Sequence, residues 1–185
     1  MTKPTKALAL SAIAALIATP ALADHHEEHA MADAVASAPI MDVEGNEIGT
    51  AKLKQTPTGV LVTVSAKGLS EGEHGFHLHE KGVCDASTKF ASAGGHYNPG
   101  ASEHGLLVKD GPHGGDMPNQ YADGSGMLMA EVLNTGVSLD KAAANTIYDA
   151  DGTALVIHAK ADDYMSQPSG AAGDRVACAV VASPK

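Results

Sequence analysis

Residues 60–66 read Val-Leu-Val-Thr-Val-Ser-Ala, and within them Val60, Val62 and Val64 alternate with Leu61, Thr63 and Ser65. A period of two marks a strand with one face in a core and the other in water. Before it, Ile48 to Gln55 forms a similar short run beyond Pro57-Thr58-Gly59; after it, His74 to Glu80 follows the polar stretch Ser70-Glu71-Gly72-Glu73. Strands divided by tight turns predict antiparallel pairing. From Lys81 to Ser125 the pattern dissolves into about 45 residues dense in Gly, Pro, Asn, Asp and His, a length that points either to a functional loop or to an unrecognised element within it. Strands resume at Met127 to Leu133, Ala154 to Ala159 and Val176 to Val181, with a second polar loop, Asp162 to Asp174, before the last. One turn near Leu139 to Ala144 is the sole helical signal. Seven or eight strands with two long loops predict an all-β fold, a β-sandwich or Greek-key barrel.

The chain has 185 residues, 44% of them hydrophobic, with 20 Gly and 9 Pro, which fits one domain rich in turns. Lys3 and Lys6, an apolar run from Ala7 to Ala18 and then Thr19-Pro20-Ala21-Leu22-Ala23 read as a cleavable secretory signal over residues 1–23. The mature chain then starts at Asp24. Residues 24–37, acidic, small and His-rich, read as a flexible tail, with the domain proper over 38–185. The apolar run is too short to span a bilayer, so a soluble exported protein is expected. Without an N-x-Ser/Thr acceptor site, a bacterial periplasm fits better than a eukaryotic secretory route. In an oxidising compartment the two cysteines, Cys84 and Cys178, most simply pair; two free thiols are the alternative. Removing the signal leaves 10 basic and 22 acidic residues, a formal charge of −12. That charge disfavours nucleic acid and anionic membrane as partners, and 3% aromatic content without Trp leaves no stacking platform for bases.

The ten histidines are not scattered. His25, His26 and His29 lie in the tail, and His74, His77, His79, His96, His104, His113 and His158 lie at strand ends or in loops beside the Gly-rich stretch. In a strand, residues i and i+2 share a face about 6.6 Å apart, so His77 and His79 can lean onto one ion while Leu78 enters the core. His96 follows Gly94-Gly95, and His104, His113 and Asp116 come on a loop too polar to be held by packing; a metal would supply the missing folding energy. His158 ends the apolar run Ala154 to Ile157, where an unpartnered imidazole is costly. Imidazole-only ligation suits copper, and imidazole with carboxylate suits a closed zinc site. A four-imidazole site beside a site of three imidazoles and one carboxylate needs seven imidazole contacts; with His74 set aside six body histidines are left, so one ring would have to use both nitrogens.

The stretches GFHLHEKGVC (75–84), SAGGHYNPGASEHG (92–105), GPHGGDMPN (111–119), ALVIHAKADDY (154–164) and AAGDRVACAVV (171–181) resemble the copper,zinc superoxide dismutases of the bacterial periplasmic type, over roughly residues 40 to 183. The resemblance implies an eight-stranded antiparallel Greek-key barrel with two long functional loops. It implies copper on His77, His79, His96 and His158, and zinc on His96, His104, His113 and Asp116, with His96 shared. Asp162 resembles the carboxylate that links a copper histidine to a zinc histidine, here His77 and His104. His74 resembles a structural histidine bonded to backbone.

The implied reaction is dismutation of superoxide to dioxygen and hydrogen peroxide by copper cycling, with His96 carrying a proton and zinc holding the loop. Arg175, the sole arginine, resembles the group at the channel mouth that attracts the anion, with Lys81, Lys89 and Lys160 as further candidates. Asp174 beside it departs from the small neutral residue of many relatives. In the tail, the amine of Asp24, two backbone amides and the His26 ring suit a square-planar site for Cu(II) or Ni(II), to which His25 and His29 add weaker ligation. The rival reading is a periplasmic copper and zinc buffer or carrier without turnover, which gives no reason for a lone arginine or a shared imidazole. A homodimer stays open.

Overall fold

The structure, a computed structural model, describes Met1 and residues 35–185. Eight strands close into one antiparallel barrel: β1 (Val35–Asp42), β2 (Glu47–Thr56), β3 (Gly59–Ala66), β4 (Gly72–His79), β5 (Asp116–Ala122), β6 (Leu128–Asn134), β7 (Thr153–His158) and β8 (Arg175–Ala182). The order around the barrel is β1-β2-β3-β6-β5-β4-β7-β8, so β3 crosses over to β6 and β4 to β7 in the Greek-key manner.

The alternation in β3 is realised directly. Val60, Val62 and Val64 enter the core, with Thr63 and Ser65 exposed, and β3 pairs with β6 from Val60↔Asn134 to Ala66↔Leu128. Leu53, Phe76, Leu78, Met117, Leu128, Leu155 and Ile157 fill the same interior. Each fully buried Leu, Ile or Phe contributes roughly 1.5–3 kcal/mol by leaving water.

Two strands escaped the sequence reading. The tail expected over residues 24–37 is outside the described residues as far as Ala34, but Val35, Ala36 and Ser37 open β1, paired with Lys54, Leu53 and Lys52. Small inward residues such as Ala36 and Ala38 gave no apolar period to detect. Likewise β5 lies inside the stretch read as loop; its sequence Asp-Met-Pro-Asn-Gln-Tyr-Ala has no clean alternation, and it meets β6 through one pair, Ala122↔Leu128. The helical turn expected near Leu139 to Ala144 is a plain turn closed by Ala143 N–H on Asp140 O (3.1 Å). The two short 3-10 turns lie elsewhere, at Ala86–Thr88 and Ala91–Ala93.

What positions the site is that β4 and β7 are buried on both faces. Phe76, Leu78, Leu155 and Ile157 face the barrel interior, while the opposite face lies under loop 80–115. There Phe90, Ala93, Ala154, Val156 and Cys178 form a second small apolar cluster against Cys84. The Cys84–Cys178 disulfide pins this loop to β8, with Cα atoms 5.7 Å apart across 94 residues of sequence. Loop 159–174 closes over the same wall. Gly75 makes room for it, since a Cβ there would lie 2.8 Å from the Ala172 Cβ.

Candidate metal centre

Among the described residues two clusters of four donors lie side by side on the outer wall of the barrel: His77, His79, His96 and His158 in one, and His96, His104, His113 and Asp116 in the other. All these residues but His113 are buried, and its side chain is only 11% exposed. The first set comes from β4, the loop after it and the end of β7, where the register shift between Ile157 and His158 turns the last imidazole. The second set comes from loop 80–115 and the start of β5.

Hydrogen bonds fix which ring nitrogens are left over. His77 Nε2–H donates to Asp162 Oδ2 (2.7 Å) and His104 Nε2–H to Asp162 Oδ1 (3.1 Å), so a single buried carboxylate links the two clusters. This leaves Nδ1 of His77 and Nδ1 of His104 buried without hydrogen-bond partners, as are His96 Nε2 and His113 Nδ1. His79 Nδ1–H donates to Gly94 O (3.1 Å) and His158 Nδ1–H to Gly173 O (3.3 Å). In those tautomers their Nε2 lone pairs face each other 3.4 Å apart, an arrangement that a cation between them satisfies. On the other side His96 Nδ1 is 2.8 Å, His104 Nδ1 3.1 Å and His113 Nδ1 3.3 Å from the Asp116 carboxylate. Convergent, dry, unpartnered nitrogens in this number fit metal ions and fit little else.

The titration behaviour follows from the same geometry. Burial lowers the His77 pKa to about 4 against the pull of Asp162, and that of His158 to about 3, next to His77. His79 is also held well below the ordinary histidine value by burial, with His96 and Arg175 adding to the effect. These three imidazoles are therefore neutral, the form that binds metal. For His104, burial is outweighed by Asp116 and Asp162, which raise it to about 9. Asp116 and Asp162 themselves would be raised by burial, but their hydrogen bonds to histidine hold both below the usual carboxylate range.

His74 stays apart from both clusters. Its Nδ1 lies 2.6 Å from His158 O and its Nε2 2.8 Å from Ser70 O, so it props the backbone under His158. Arg175 pairs with His158 across β7 and β8, and its guanidinium donates to Phe90 O and Gly94 O. The arginine thereby shares an acceptor, Gly94 O, with His79. Lys81, Lys89, Lys160 and Asp174 are all exposed. His25, His26 and His29 lie outside the described residues.

The model of the copper/zinc superoxide dismutase family matches residues 47–181. The chain belongs to that family. A copper-zinc superoxide dismutase of Aquifex aeolicus is 49% identical over 150 residues, spanning 80% of this chain and 87% of that relative. One from Caulobacter vibrioides is 41% identical, spanning 79% and 84%. Among solved structures, a superoxide dismutase-like protein from Bacillus subtilis superposes with a TM-score of 0.75 at 35% identity, covering 79% of this chain and 97% of that one. The copper/zinc superoxide dismutase of Brucella abortus gives 0.65 at 29% identity, covering 80% and 99%. The protein is accordingly an oxidoreductase that uses copper and zinc and acts on superoxide.

Sequence reading missed several groups at this site: the carbonyls of Phe90, Gly94 and Gly173, and the side chains of Asn119, Gln167 and Glu80. Glu80 Oε1 accepts the Gly95 N–H (2.9 Å), fixing the turn that delivers His96. Backbone acceptors carry no residue identity, and side chains that grip backbone have no spacing rule.

Proposed function

We propose that His77, His79, His96 and His158 hold the copper of this superoxide dismutase, and that His96, His104, His113 and Asp116 hold its zinc. The observation that carries this is His96, whose Nε2 lies in the all-imidazole cluster and whose Nδ1 lies in the cluster with the carboxylate. Donor chemistry supports the division, since imidazole alone suits copper and a closed imidazole and carboxylate set suits zinc. Copper supplies the one-electron redox chemistry, and zinc a fixed charge without redox activity. His96 Nε2 is the atom at which a proton is taken up and then given to peroxide. Asp162 accepts from Nε2 of both His77 and His104, which directs their Nδ1 atoms toward the two clusters. Arg175, fixed by two carbonyls beside His79, presents positive charge to the incoming anion. Replacing His96 with Gln tests the shared ring. Superoxide consumption, zinc content and the Cu(II) spectrum all change together if the assignment holds; wild-type zinc content and spectrum overturn it.

We further infer export to the periplasm after cleavage behind Ala23, which N-terminal sequencing of the mature protein checks. In the mature chain the amine of Asp24, two amides and the His26 ring form a square-planar copper site aided by His25 and His29. Copper titration of the mature protein against one beginning at Val35 tests this, and equal stoichiometry ends it. Exposed Tyr121, Met129 and Leu133 on β5 and β6 support a homodimer, which sedimentation showing only monomer would exclude.

A further inference from the structure

Two side-chain carboxamides grip the metal site from outside the donor sets. Gln167, exposed in loop 159–174, accepts the His104 N–H at Oε1 (2.9 Å) and donates from Nε2 to His104 O (2.8 Å). Asn119 of β5 does the same to Asp162, accepting its N–H at Oδ1 (2.8 Å) and donating from Nδ2 to its carbonyl (2.9 Å). Asn119 is itself held, its backbone N–H donating to the Tyr164 hydroxyl (2.7 Å). A carboxamide carries a donor and an acceptor side by side and so matches a peptide unit as a neighbouring strand would.

Together the two clips bracket one contact, that of Asp162 Oδ1 with His104 Nε2. His104 is then fixed at its backbone by Gln167 and at its ring by Asp162, and the Asp162 backbone is fixed by Asn119. What remains unconstrained is His104 Nδ1, aimed at Asp116. Gln167 is exposed and so has no core role; its three polar contacts with backbone, to His104 N–H, His104 O and Met165 O, are its place in the fold, and none of the donors lies on its loop.

We propose that Gln167 and Asn119 are positioning residues for zinc, making the holding of zinc by His104 dependent on loop 159–174. This rests on the assignment of His104 to the zinc donors. With Gln167→Ala, transfer of zinc from the loaded protein to a chromogenic chelator becomes about tenfold faster, equivalent to ~1.4 kcal/mol. Gln167→Glu, which keeps the acceptor oxygen and loses the donor, gives an intermediate rate, and Asn119→Ala changes the rate in the same direction as Gln167→Ala. With Co(II) in place of zinc, the visible absorption bands of both alanine variants shift. The thermal midpoint of the zinc-loaded protein falls further than that of the metal-free protein. Wild-type transfer rates and Co(II) bands in both variants overturn the proposal. So do equal falls of the two midpoints, which would make the clips general scaffolding. His113→Ala separates the underlying assignment: if that variant binds zinc as tightly as wild type, the donor set is wrong and the proposal goes with it.

Discussion

Arg175 shows how much of one residue's role is set by groups that have no letter in the sequence. Its guanidinium is held beside His79 and His158 because Phe90 and Gly94 present their carbonyls to it, Phe90 from a left-handed conformation at φ 60°. Burial lowers its pKa and Glu80 opposes that shift, so the group enters the site as a partly desolvated cation. Arg175→Ala should lower kcat/KM by about tenfold or more and weaken its dependence on salt, with both metals retained. Stopped-flow rates across ionic strength, beside metal analysis, check this; unchanged kinetics would refute the role. Arg175→Lys keeps the charge but has no planar fork for two carbonyls, so it recovers only part of the rate. Gly170 makes the complementary case. At φ +68° it faces Asp162 and His104, and a Cβ there would overlap the Asp162 carboxylate. Gly170→Ala should release zinc faster and reduce the zinc-loaded thermal midpoint, both measurable by chelator transfer and calorimetry. The residues that the structure gathers into the two clusters were legible, because the motifs that carry them resemble a known family, whereas His-x-His alone leaves a site without an ion equally open. Gly170, Asn119 and Gln167 were not, because their meaning lies in a contact across the fold.

The elements divide along the same line. β3 was readable from its alternation, whereas β4 and β7 hide theirs, since both of their faces are buried. In β4 the interior takes Phe76 and Leu78 and the other face takes His77 and His79, so polarity alternates within a stretch, His74 to His79, that is buried throughout. The burial of that outer face depends on loop 80–115 staying in place, and the Cys84–Cys178 disulfide is its covalent hold. Closing a loop of 94 residues corresponds to at most ~4 to 5 kcal/mol. The double variant Cys84→Ala/Cys178→Ala should therefore lose a large part of a typical domain's stability, read as a lower thermal midpoint. It should also lose activity out of proportion to its metal content, because Phe90 O and Gly94 O, the acceptors that aim Arg175, sit on the loop that is freed. A variant with a lower midpoint and full specific activity per copper would separate the clamp from the gate.

At the scale of the whole molecule, the metal-free barrel carries its acid sensitivity inside the site. His77, His79 and His158 have native pKa values below the ordinary histidine value, two of them near 4 and 3, so the unfolded chain binds protons that the native state refuses. Their contribution to stability is complete above about pH 6.5 and fades as pH falls toward 4. Asp116 and Asp162 act in the same direction at lower pH, since their depressed values favour the native state only while the unfolded carboxylates are ionised. His104 runs the other way. Its value near 9 means that the native state holds a proton between two carboxylates, and that contribution, full below about pH 6.5, is lost as pH rises through 9. The metal-free protein should therefore be most stable near pH 6.5, with a thermal midpoint falling on both sides. Zinc then meets a His104 that is still protonated at neutral pH. Because a ligating imidazole must give up that proton, loading zinc into metal-free protein at pH 7 should release about one proton from this site, and the release should vanish above pH 9. Calorimetric titration in buffers of different ionisation enthalpy measures that number, and His104→Gln should remove both the proton release and the alkaline fall in midpoint. Equal proton release in wild type and variant would place the titrating group elsewhere.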